Sequence, residues 1–154
     1  MNPFDLKAAL LARHAQHVVL IHFPIALFFT SVSFDVLALY KGNRALATAA
    51  YYNLLAAALS VWPAVATGLL AWQLQLGGKT PRGNLRLHLI LALCSASAIS
   101  LVWWLHFRAR RAALPDVPLA RLSVLRLSVE LAATLLVAFT AHVGGFLSGV
   151  NGPG

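Results

Sequence analysis

The sequence is short of charge, and shorter still of acid. Only 10% of its 154 residues are charged, with 4 Asp or Glu against 12 Lys or Arg. A soluble domain carries about 25% charged residues. The deficit, a hydrophobic content of 60% and a mean hydropathy of +0.77 mark an integral membrane protein. Sulfur is nearly absent: Cys94 and Met1 stand alone. One cysteine forms no disulfide within the chain and completes no CxxCH haem-attachment motif. So little soft-ligand supply argues against Cu(I) transport. No polar stretch is long enough for a soluble catalytic domain. No serine–histidine–aspartate or carboxylate-pair arrangement indicates a hydrolase. The net charge of +8 would suggest nucleic acid in a soluble protein. Here the cations lie between apolar runs, where they meet lipid headgroups, and nucleic acid is not an expected partner. Met1-Asn-Pro-Phe-Asp-Leu-Lys7 lacks the basic start of a cleavable signal peptide.

What is present is long apolar runs. The stretch from His17 through His22-Phe-Pro24 to Thr30 opens the first of them and carries no charge until Asp35. Runs of this kind predict spans over about 17–39, 46–74, 85–107 and 120–143. Residues 4–16 are too short to cross, and Phe4, Leu6, Leu10 and Leu11 fit a short interfacial helix. The expected fold is all-α, an antiparallel four-helix transmembrane bundle preceded by that helix, with residues 1–154 as a single membrane domain. Tyr40-Lys-Gly-Asn-Arg44, Gly77-Gly-Lys-Thr-Pro-Arg-Gly83 and Arg108 to Pro118 read as the loops. Gly78-Lys79-Thr80 lacks the spacing and the preceding strand of a phosphate loop. Pro63 is expected to bend span 2. Both chain ends fall on one side with Lys7, Arg13, Lys79, Arg82 and Arg86. The larger set, Lys41, Arg44, Arg108, Arg110, Arg111, Arg121 and Arg126, falls opposite. By the positive-inside rule the termini face the periplasm of a bacterial cytoplasmic membrane.

The histidines carry the functional signal. His17 and His22 open span 1, His88 opens span 3 and His142 closes span 4. Up-down topology brings all four to one end of the bundle, with His106 at the other. Ionisable groups in lipid are expensive and are usually paired or functional. On a regular helix His17 and His22 lie ~140° apart, too far around to share one small ion, although Pro24 could loosen the turn before it. A macrocycle held between His22 and His88 fits that spread better than a tetrahedral ion. Haem b is ligated by neutral imidazoles and needs an apolar slot, for which Phe23, Trp72, Phe139 and Phe146 are at suitable depths. Lys79, Arg82 and Arg86 are placed to meet propionates. Taken singly, each imidazole is more simply interfacial or a helix cap, as for His142 before Gly144-Gly145. At the opposite end Asp35, Asn53, Arg126 and Glu130 form a second polar set. It reads more readily as a neutralised structural cluster than as a proton path. Thr67-Gly68 suits close helix approach or room for a macrocycle.

These motifs resemble a bacterial four-helix membrane family catalogued as a domain of unknown function, DUF2231. His17-Val-Val-Leu-Ile-His22-Phe-Pro-Ile25 is similar to its HPxxVHFPI opening, and Asp35 to an acidic residue late in its first span. Thr67-Gly-Leu-Leu-Ala-Trp72 resembles its TGxxDW segment, His88 its span 3 histidine, and His142-Val-Gly-Gly-Phe-Leu147 its closing HxGGxL. Val18, Ala71 and Ser148-Gly149 depart from that pattern. Ala71 removes an acidic partner for a ligating imidazole. Family members joined to Rieske or c-type cytochrome domains imply a redox context.

The expectation is therefore a membrane haem b electron carrier with a partner redox protein, more a carrier than a stand-alone enzyme. His22 and His88 are the favoured ligands, with His17 and His142 as alternatives. Two rivals remain: a copper or zinc site built from three or four of the same imidazoles, and a structural or assembly subunit, homo-oligomeric or within a larger complex.

Overall fold

The computed structural model describes residues 13–75, 77–112 and 119–148. Among them are four helices: α1 (Arg13–Lys41), α2 (Arg44–Gln75), α3 (Gly83–Ala112) and α4 (Leu119–Leu147). Each contains a segment long and apolar enough to cross a membrane. The helices pack in the ring order α1, α2, α3, α4 and back to α1, with α1 against α2 and α3 against α4 the closest pairs. The bundle is thus two hairpins laid side by side. The interfacial helix expected over 4–16 lies outside the described residues as far as residue 12, and from Arg13 onward the chain is already α1.

The helix ends follow from local chemistry. Gly42 takes φ +61°, which ends α1, and the Asn43 N–H reaches back 3.1 Å to the Ala38 carbonyl. The Asn43 side-chain oxygen then accepts the N–H groups of Ala45 at 2.8 Å and Leu46 at 3.3 Å, capping α2. Pro24 and Pro63 both sit inside unbroken helices. Each removes one ladder hydrogen bond without ending its helix, as neighbouring helices allow in membrane bundles.

Packing runs opposite to that of a soluble protein. The core is made of small residues, among them Ala50, Ala57, Ala64, Ala96 and Ala133, filled in by Phe28, Leu54, Ile99 and Val102. Large aliphatics such as Leu59, Leu125 and Leu135 face outward, where acyl chains cover them at no cost. Polar side chains stitch the helices together. Ser31 donates to the Ala50 carbonyl at 2.8 Å between α1 and α2, and Ser95 and Thr140 share a 2.8 Å bond between α3 and α4. The Trp62 indole donates to Ser100 at 3.2 Å between α2 and α3.

The hairpins repeat one another helix by helix, each pair of helices at its own fixed sequence offset. Phe28, Ser31 and Asp35 of α1 hold the places of Ile99, Val102 and His106 of α3. Leu54, Val61 and Gly68 of α2 hold those of Glu130, Val137 and Gly144 of α4. Consequently His17 and Asp35 are separated as His88 and His106 are. That separation is five whole turns, which keeps both members on one helix face ~27 Å apart. The repeat places one set of polar groups near each end of the bundle.

Candidate functional site

A cavity of about 700 Å³ opens between the helices at the end where α1 and α3 begin. Pockets for small molecules and cofactors are commonly about 300–1,000 Å³. His17, His22, Pro24, Gly68, Trp72, His88 and Gly144 are on its wall, and apolar side chains of all four helices supply the rest.

Two of the imidazoles are seated in the same way, one in each hairpin. The His17 ring lies against Gly68 of α2, and a Cβ at that glycine would come within 2.8 Å of its Cε1. The His88 ring lies against Gly144 of α4, where a Cβ would come within 3.0 Å of its Cε1. Each glycine is therefore a notch cut to the thickness of an imidazole. His17 Nδ1 donates to the Ala64 carbonyl at 3.0 Å, with the Thr67 hydroxyl 3.3 Å away. A carbonyl can only accept, so Nδ1 carries a proton. That is the arrangement of a ligating imidazole oriented by a backbone acceptor. Thr140 precedes Gly144 as Ala64 precedes Gly68, and the His88 ring faces the Thr140 backbone as His17 faces Ala64, although Nδ1 falls short of a full hydrogen bond there.

The other expected residues are placed differently. His22 lines the cavity but is exposed at the bundle surface, and its Nδ1 donates to the Val18 carbonyl of its own helix at 2.5 Å. His142 is exposed, packs edge-on against Phe146 and is not on the cavity wall. Phe23 and Phe139 also point outward, so of the four aromatics considered for the slot only Trp72 lines it. The Trp72 indole donates to the Lys79 carbonyl at 3.0 Å, which ties the α2–α3 loop to the cavity wall. Lys79, Arg82 and Arg86 are exposed near the cavity mouth, where Leu85 and His88 of the same segment line it. Among the described residues, no three of the terminal-end imidazoles bring ligand atoms within 4.8 Å of one another, so a preformed three-histidine ion site is not present there.

At the opposite end the polar cluster of Asp35 and Glu130 gains a member that sequence reading set apart. His106 Nε2 is 3.3 Å from Asp35 Oδ2 and hydrogen-bonded to Glu130 Oε1. The side chains of His106 and Glu130 are 3% and 2% exposed. Arg126 acts electrostatically on both carboxylates. Asn53 turns instead to its own helix, donating to the Ala49 carbonyl at 2.9 Å. The equal spacing of His17–Asp35 and His88–His106 was the available signal for the triad, since it puts His106 on the inward face that Asp35 occupies in the other hairpin. Beyond it, Arg110 stacks over Tyr51 at 4.4 Å and Arg108 over Trp104 at 5.1 Å, a cation and aromatic belt suited to headgroups.

Against known proteins, the family model DUF2231, described as a predicted membrane protein, matches residues 13–152. No curated protein and no solved structure matches the chain.

Proposed function

The chain belongs to the DUF2231 family of predicted membrane proteins, and from that premise we propose that it is a haem b-binding electron carrier whose macrocycle sits in the terminal-end cavity between His17 and His88. The observation that carries this reading is the pair of glycine notches: two helices give up a side chain so that an imidazole from the partner helix of each hairpin can stand on the wall of one apolar cavity. His17 turns Nδ1 to the Ala64 carbonyl as an oriented ligand does, and His88 turns to the Thr140 backbone at the equivalent place in the other hairpin. The fit favours His17 over His22, which faces the bundle surface. His22 and Trp72 would flank the group, with Lys79, Arg82 and Arg86 as the cations within reach of propionates at the boundary.

When bound, haem b would supply one-electron chemistry, with His17 and His88 as the residues that would hold it in an apolar setting. The residues of the chain bind, orient and exclude water. Ala64 fixes the His17 tautomer, Gly68 and Gly144 set ring depth, and Ile21, Ile25, Val61 and Val137 keep the pocket dry. The positive-inside asymmetry supports a periplasmic position for this end in a cytoplasmic membrane, where a redox protein would dock.

The test is optical. Protein expressed with ample haem and purified in detergent should show a Soret band that shifts on reduction with dithionite. His17→Ala and His88→Ala should each lose most of the bound haem, while His142→Ala keeps it. Retention of haem by both of the first two variants would refute the assignment. Removal of haem by His22→Ala with His17→Ala unaffected would return His22 to the ligand position.

A further inference from the structure

We propose that Asp35, His106 and Glu130 form a second, separate site that binds one divalent transition-metal ion of the manganese, iron or zinc class. The three donors come from α1, α3 and α4, and their ligand atoms lie within 4.8 Å of one another. The decisive feature is that one nitrogen is asked to serve two anions. His106 Nε2 faces Asp35 Oδ2 at 3.3 Å and also Glu130 Oε1. A neutral imidazole nitrogen offers either one hydrogen or one lone pair. One hydrogen on Nε2 cannot serve both carboxylates fully, and Asp35 and Glu130, which hydrogen-bond to each other, can do so only around a shared proton. A divalent cation in place of the shared proton, with the three side chains drawn around it, satisfies all three donors at once.

A second, independent observation points the same way. Glu130 is 1% exposed, and its other oxygen, Oε2, is buried with no hydrogen bond of normal geometry, the carboxyl of Asp35 being the acid it is packed with. A carboxylate oxygen buried beside a second acid is costly. It is explained if Glu130 binds the ion through both oxygens, giving four donor atoms with Asp35 Oδ2 and His106 Nε2. One imidazole among carboxylate oxygens suits borderline and harder divalent ions, and no thiolate or thioether is present to select Cu(I). A divalent ion cancels the charge of the two carboxylates. The site is independent of the haem reading: it lies at the other end of the bundle and shares no residue with that cavity.

The test uses the full chain in detergent, treated with chelator and then titrated with Mn²⁺ or Zn²⁺ alone. Bound metal is read by elemental analysis and, for Mn²⁺, by electron paramagnetic resonance. Wild-type protein should retain about one equivalent. Asp35→Asn and Glu130→Gln should each weaken binding at least ten-fold at unchanged helicity, and His17→Ala and His88→Ala should leave it intact. Should Glu130→Gln fail to fold, Asp35→Asn and the wild-type stoichiometry still decide. Wild-type protein that holds no ion would overturn the proposal and leave a shared proton in the triad. So would an ion held equally by Asp35→Asn, or one lost with the His17 and His88 variants.

Discussion

Filling the notch at Gly68 is the sharpest single perturbation available. A Cβ there would approach His17 Cε1 to 2.8 Å, well inside the 3.4–4 Å of ordinary contact. The neighbour is a ring and not a flexible tail, so it must move as a unit, and moving stretches the 3.0 Å bond to the Ala64 carbonyl. Crowding in a packed interior costs about 1–3 kcal/mol, and the hydrogen bond is worth about 1 kcal/mol. The helix regains about 1 kcal/mol from replacing glycine by alanine. The balance is a loss of about 1–3 kcal/mol in holding His17 at its ligating position, a ~5–150-fold drop in affinity for haem. Gly144→Ala should be milder. Its contact is 3.0 Å, and the His88 interaction with the Thr140 backbone falls short of the full hydrogen bond that His17 makes. The assay is haem titration of detergent-purified apoprotein followed at the Soret band, with Ser97→Ala on the exposed face of α3 as the control. Equal affinity for wild type, Gly68→Ala and Gly144→Ala would refute the notch argument. Greater damage from Gly144→Ala than from Gly68→Ala would show that the hydrogen bond to Ala64 does not matter.

Three further outcomes are expected. His106→Ala leaves two carboxylates buried without their imidazole and should cost about 3–5 kcal/mol in unfolding from detergent, whereas Leu135→Ala on the exposed face of α4 should change stability by less than about 0.5 kcal/mol. Asn43→Ala removes the side-chain acceptor for Ala45 and Leu46 and should cost about 1 kcal/mol, read as a lower thermal midpoint. In a Cys94→Ser background, a single cysteine at Ser148 should react with an impermeant maleimide from the periplasmic side, and one at Gly42 should not; the reverse pattern would invert the topology.

The helices were legible because lipid imposes a simple demand: about 20 apolar residues per crossing, with loops where glycine, proline and cations collect. The turn at Gly42-Asn43 could be read for the same reason. What could not be read was which faces meet. His17 and His22 are both imidazoles at the start of one helix, and only packing shows that Gly68 receives the first while the second turns back onto Val18. His142 sits beside two glycines in sequence, yet Gly144 serves His88 of the neighbouring helix. Aromatic depth was a poor guide too. Phe23 and Phe139 are at the level of the cavity and point away from it, because depth fixes height in the membrane and says nothing of azimuth. The triad was missed for want of one comparison, that of the two hairpins with each other, which places His106 opposite Asp35.

The most direct measurement is low-temperature electron paramagnetic resonance of the oxidised, haem-loaded protein. Two imidazoles on one iron predict a low-spin ferric signal in the wild type, giving way to a high-spin signal in any haem that His17→Ala or His88→Ala retains. A high-spin wild type, or a low-spin signal that survives both substitutions, would contradict a haem held between the two hairpins.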